Sequence, residues 1–166
     1  MIGQKEENTC FFTGHRSIPE SKINEVALRT REQIYHLTAQ GYKHFICGGA
    51  VGFDTIAAVQ VAKVKAGGAD IKLILALPCR DQTAVWKNTD MLRLYQKLKG
   101  VADEIVYISE LFTEGCMKER NRFMVEHSTA CITYFNGRRV GGTAQTVRMA
   151  KEKNITIFNV YSPVKE

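Results

Sequence analysis

Six short apolar runs, each separated from the next by a segment with helical spacing, constrain this chain more than any other feature. The runs are Cys10–Thr13, His44–Cys47, Lys72–Leu77, Glu104–Ile108, Ala130–Phe135 and Thr156–Val160. They are rich in Ile, Val, Phe and Tyr and nearly continuous, as strands covered on both faces are. The segments between them predict five helices. The first follows Ser17-Ile18-Pro19-Glu20, which matches a capping box with proline in the first turn, and Gly41 can end it. The others are predicted at about 53–66, 82–99, 115–127 and 142–153. An alternating strand–helix order with right-handed crossovers gives an α/β fold: a mainly parallel sheet of about six strands between two helical layers. In such sheets ligands bind outside the carboxyl ends of the strands, where the strand order reverses. The strand-to-helix turns are therefore the place to look for function.

A chain of 166 residues with 45% hydrophobic and 24% charged residues has enough apolar material for one core and too much for disorder. One domain over 1–166 is expected, with 1–8 and 162–166 as flexible tails. No run approaches the roughly 20 apolar residues of a membrane span. The polar, acidic start MIGQKEENT lacks the apolar stretch of a secretory signal. The five cysteines, at 10, 47, 79, 116 and 131, form no CxxC pair, so no metal site is expected. An odd, scattered set suits a reducing cytoplasm.

The net charge is +6, and its distribution matters more than its size. Lysines fall mainly on predicted helix surfaces. Arg16, Arg80, Arg120, Arg122, Arg138 and Arg139 fall in loops after strands or near a helix start. Arginine in such places suits bidentate recognition of phosphate or carboxylate.

Four turns carry candidate ligand-binding residues. Thr13-Gly14-His15-Arg16 follows the first run. Gly48-Gly49-Ala50-Val51-Gly52-Phe53-Asp54 follows the second, and three glycines ahead of a helix predict a phosphate cradle made of backbone N–H groups. It is neither GxGxxG nor a P-loop. Asp54 reads first as a helix cap and second as a ligand to a sugar or base. Pro78-Cys79-Arg80-Asp81-Gln82 follows the third run; Asp81 is expected to cap the third helix, with Gln82 and Trp86 on one of its faces and Trp86 in the core. Asn136-Gly137-Arg138-Arg139-Val140-Gly141-Gly142-Thr143 follows the fifth run and is a second glycine-rich turn into a helix. The helix before that run adds Arg120 and Asn121, an unusual choice for a helix interior. The two glycine loops together can bracket a ligand with a phosphate at one end and a sugar or base at the other.

FTGHR, CGGAVGFDTIAA, PCRDQ with Trp86, KERNRFMVEHS and YFNGRRVGGTAQTVRMA, in that order between Cys10 and Val160, resemble the YpsA-like branch of the SMF/DprA–LOG (SLOG) superfamily. The resemblance implies a Rossmann-like three-layer α/β/α sandwich whose glycine-rich loops bind a nucleotide or an ADP-ribose-like molecule, with no further cofactor. It also implies a homodimer and, for this branch, a link to bacterial cell division and stress. The LOG branch cleaves the N-glycosidic bond of nucleoside monophosphates, and the DprA branch binds single-stranded DNA. LOG hydrolases carry PGGxGTxxE; here the stretch is Val140-Gly141-Gly142-Thr143-Ala144-Gln145-Thr146-Val147. Gln145 and Thr146 stand where a carboxylate is needed, and an amide cannot serve as general base or nucleophile. Glu119 and Asp54 are the candidate carboxylates from elsewhere. The expectation is a nucleotide-binding sensor or regulator; the alternatives are a nucleotide N-glycosidase and a DNA-binding protein. The basic residues form no single tract, so nucleic acid is not the expected partner.

Overall fold

The computed structural model describes residues 7–84 and 86–163. The expected tails therefore lie largely outside the described residues. Where they are described, the Glu7 and Asn8 carbonyls accept hydrogen bonds from Thr129 Oγ1 and from the Lys43 and His44 amides.

The six strands are β1 (Thr9–Gly14), β2 (His44–Cys47), β3 (Lys72–Cys79), β4 (Glu104–Ser109), β5 (Ala130–Tyr134) and β6 (Thr156–Asn159). Each pairs in parallel with its neighbours in one sheet of order β4-β3-β2-β1-β5-β6. The helices are α1 (Ile23–Ala39), α2 (Phe53–Ala66), α3 (Thr89–Val101), α4 (Cys116–Glu126) and α5 (Gly142–Glu152). This is the α/β fold that the apolar runs predict.

Successive strand residues face opposite sides, so each strand supplies two cores. Cys10, Phe12, Phe45, Cys47, Leu73, Leu75 and Ile132 pack with α1, α2 and α3. Phe11, Ile46, Ile74, Ala76 and Cys131 pack with Met124 and Val125 of α4 and Ala150 of α5. The chain runs outward from β1 to β4, then returns past β1 to lay down β5 and β6. Right-handed crossovers put the helices of the two directions on opposite faces. The order reverses between β1 and β5, and their carboxyl ends open a crevice there.

Local expectations are corrected at two helix starts. The third helix begins at Thr89 rather than near 82, because the Asn88 side chain accepts the amides of Asp90 and Met91 and so caps it. Asp81 caps nothing; its carboxylate accepts the Phe112 amide across to the loop after β4. Gln82 and Trp86 thus sit on an irregular loop, not on one helix face. The Ser17–Glu20 capping box does not form either: the chain enters α1 through a 3-10 turn at Glu20–Lys22 with no side-chain cap.

Asn88→Ala is expected to cost about 1 kcal/mol of stability by removing that cap. A urea titration would show a lower midpoint with an unchanged slope.

Candidate functional site

At the reversal point lies a cavity of about 360 Å3, bordered by four segments. The β1 turn gives Thr13, Gly14, His15 and Arg16; the β2–α2 segment gives Ala50 and Asp54; α4 gives Met117, Arg120, Asn121 and Met124; the β5–α5 loop gives Arg138, Val140, Gly141, Gly142 and Thr143. Met117, Arg120/Asn121 and Met124 share one face of α4 at helical spacing. The two methionines escape a reading that looks only for polar groups, although their spacing from Arg120 is the available signal.

The floor is built around Arg120, only 5% exposed. Its Nε donates to Asn121 Oδ1 at 2.8 Å, one Nη1–H to the Gly48 carbonyl, and Nη2 lies 3.9 Å from Met117 Sδ. A guanidinium carries five N–H groups, so two are left without a partner among the described residues, beside the cavity. Asp54 is buried next to it, and its Oδ2 accepts the Ala50 amide at 3.2 Å. Burial pushes the Asp54 carboxyl above the usual carboxylate range, although the charges of Arg120 and Arg16 and the Ala50 N–H pull the other way. Burial likewise lowers the Arg120 pKa, against the pull of Asp54. Asp54 thus fastens the loop ahead of α2 and does not cap the helix, whose N-cap is Gly52.

The first glycine loop is not an open cradle. A Cβ at Gly48 would lie 2.5 Å from Arg120 Nη1 and 2.9 Å from Asp54 Oδ2. At Gly49 it would strike the Leu77 side chain, and at Gly52 the backbone of Arg16. These three glycines serve close packing, and none of them borders the cavity; only Ala50 and Asp54 of that segment do. The second loop is the open one. Gly141 and Gly142 are exposed, and a Cβ at either would meet nothing within 4 Å. Gly141 is the N-cap of α5 and offers no side-chain cap to the first amides of that helix, whose Gly142 and Thr143 border the cavity.

His15 joins β1 to this loop. The Asn136 amide donates to His15 Nε2 at 3.0 Å, and the ring lies edge-on to Tyr134. Asn136 therefore positions the site from outside the cavity. Burial, with the Arg138 charge, lowers the His15 pKa. Arg16 makes no hydrogen bond or ion pair to the described residues and lies close enough for its charge to act on Arg120 and Asp54.

Four candidates stand apart. Arg80 is pulled away: its Nε pairs with Glu110 at 2.8 Å and its guanidinium covers the Tyr107 ring at 4.0 Å. Pro78 lies within β3 and does not border the cavity. Gln82 is buried, bonded to the Gly49 carbonyl and the Tyr95 hydroxyl, and borders a neighbouring cavity. Glu119 is exposed on α4 and does not border the crevice, where Asp54 is the one carboxylate among the described residues.

An all-parallel sheet with a polar crevice at the strand-order reversal defines an α/β protein of Rossmann-like type. The model of the YspA SLOG family matches residues 3–161, and the chain belongs to that family. It is 31% identical over 143 residues to the uncharacterized SPbeta prophage-derived protein YoqJ of Bacillus subtilis, covering 79% of this chain and 81% of that one. Among solved structures it is similar to DNA processing protein A from Streptococcus pneumoniae (TM-score 0.64, 15% identity, 96% of this chain). The chain spans 52% of that protein's length. DNA processing protein A from Helicobacter pylori, whose structure is described by its single-stranded DNA binding mode, superposes with a TM-score of 0.63 at 18% identity, covering 95% of this chain and 67% of that one. At such identities the likeness is one of fold. Among the described residues no helix is long and apolar enough to cross a membrane.

Two outcomes are expected. Gly48→Ala should destabilise the protein by ~1–3 kcal/mol through overpacking, whereas Gly142→Ala should leave the urea midpoint unchanged or slightly raised. In an NMR titration His15 should protonate below the usual midpoint near 6.5. Because its folded-state pKa is depressed, its contribution to stability is present above about pH 6.5 and is lost as pH falls through the folded midpoint.

Proposed function

We propose that this chain binds a nucleotide or nucleotide-derived ligand by its phosphate in the crevice between β1 and β5, and acts as a sensor or regulator in bacterial stress or cell division. The observation that carries the reading is Arg120: a buried guanidinium with two N–H groups unpaired among the described residues, beside a cavity that also meets the start of α5, which no side chain caps. Desolvating a cation without pairing it fully is costly, and an anion in the cavity offsets that cost. The helix dipole and exposed amides favour the same charge. Arg16 and Arg138 add positive charge at the rim.

A glycosidase reading finds less support. Asp54 is the carboxylate at the crevice and is occupied with the Ala50 amide. Counted from Gly141-Gly142, the glutamate of the LOG pattern falls at Arg148 of α5, beyond Gln145 and Thr146, so a cation stands at that position. Single-stranded DNA binding is the second reading. It is favoured by the exposed Arg138, Arg139 and Val140 beside the crevice and by the binding named for the Helicobacter pylori protein.

Inorganic phosphate, AMP and ADP-ribose, tested singly, should raise the melting temperature; at 100 times Kd the gain is about 2.7 kcal/mol. Arg16→Lys keeps the charge and loses the fork, so AMP binding should weaken by ~1.5–3 kcal/mol. No shift with any of the three, or unaltered binding by the lysine variant, counts against this reading. A salt-sensitive gel shift with oligo-dT would favour the second.

A further inference from the structure

Beside the crevice lies a second cavity of about 380 Å3. The two share Arg16, Ala50 and Met117 as a common wall. The second has a different character. Its lining includes Trp86 and Phe112, with Gln82 and Asp81 as polar groups. Phe112 is 64% exposed, although the Asp81 carboxylate holds its amide at 2.9 Å. Trp86 is half-buried and packs edge-on against Tyr95, with ring centroids 5.3 Å apart. Two aromatic side chains thus border a cavity that opens beside a cationic crevice, and they come from separate loops tied together by Asp81.

The polar groups narrow what fits. Gln82 is committed at both ends, to the Gly49 carbonyl and the Tyr95 hydroxyl. The Asp81 carboxylate faces two donors, the Phe112 amide and the Cys79 thiol, and keeps lone pairs to spare. An ionised carboxylate only accepts, so it selects a donor such as an exocyclic amino group.

We propose that this lobe takes the base of the ligand whose phosphate the crevice holds, and that the base carries an amino group. The base lies against Trp86 and Phe112, its amino group donates to Asp81, and Arg16 stands between base and phosphate. This inference rests on the phosphate reading above and adds to it the base class and a second set of contacts.

Trp86 is the sole tryptophan of the chain and borders this lobe, so its emission reports on changes there. The test is a titration with ribose 5-phosphate, AMP and IMP, following tryptophan fluorescence and melting temperature together. IMP differs from AMP in carrying a ring oxo group where AMP has its amino group. AMP is expected to change Trp86 emission and to bind at least tenfold tighter than IMP. Ribose 5-phosphate is expected to raise the melting temperature and leave the emission unchanged. Phe112→Ala, a change at an exposed position, should weaken AMP about tenfold, as loss of one base–aromatic contact does, and spare ribose 5-phosphate. Equal binding of ribose 5-phosphate and AMP with no change in emission overturns the inference and leaves the phosphate reading standing. No response to any of the three overturns both. Oligo-dT that quenches Trp86 and binds tighter than AMP assigns the lobe to single-stranded nucleic acid and overturns it as well.

Discussion

The buried guanidinium of Arg120 on the Gly48 carbonyl is the contact on which the carboxyl edge of the sheet depends. It ties α4 to the end of β2 across 72 residues of sequence. It also forces glycine at position 48 and sets the charge beside Asp54. A buried cation is expensive unless paired, and removing one partner leaves the other stranded. The knot therefore holds together only as a whole, and it fixes the β2–α2 segment while the loop facing it across the crevice stays open. A rigid floor and an open rim are what a preformed anion site requires, since little ordering is then left to the moment of binding.

The strands were legible because a parallel sheet covered on both faces needs near-continuous apolar runs, and all six runs became strands. Boundaries set by side-chain caps were less so. Asp81 and Asn88 are both good N-caps; what decides between them is Phe112, whose amide claims Asp81 from another part of the chain. The glycine loops teach the same lesson. Gly48-Gly49 and Gly141-Gly142 look alike as sequence, yet Arg120, Asp54 and Leu77 crowd the first pair and nothing crowds the second. Arg80 and Arg16 are likewise both arginines after strands. Glu110 and Tyr107 capture Arg80, and no described group captures Arg16. In each case the deciding neighbour is distant in sequence, where spacing cannot reach it.

Trp86 shows a local argument that holds in part: the ring packs against the core, as its apolar character predicts, but not from a helix. A lone tryptophan among apolar residues belongs in a core if the segment is helical. Here the segment is a loop, held by Gln82 on the Gly49 carbonyl, and the ring ends up partly buried against Tyr95 and partly at the lip of a cavity. The apolar character that suggested a core residue is the same property that makes it a platform once one side is uncovered.

The strand order has a consequence for how the chain is made. Of the six described strands β1 is synthesised first and sits in the middle of the sheet, but its partner on one side, β5, begins only at Ala130. Until that strand emerges, the Cys10–Gly14 side of β1 is an unpaired edge, apolar and buried in the finished protein. Such an edge invites pairing with another chain. A ribosome-bound intermediate carrying β1 to β4 is thus four strands of the six, with a buried strand of the finished sheet at its margin. The crevice, whose walls include α4 and the β5–α5 loop, comes into being in the same event that closes that margin.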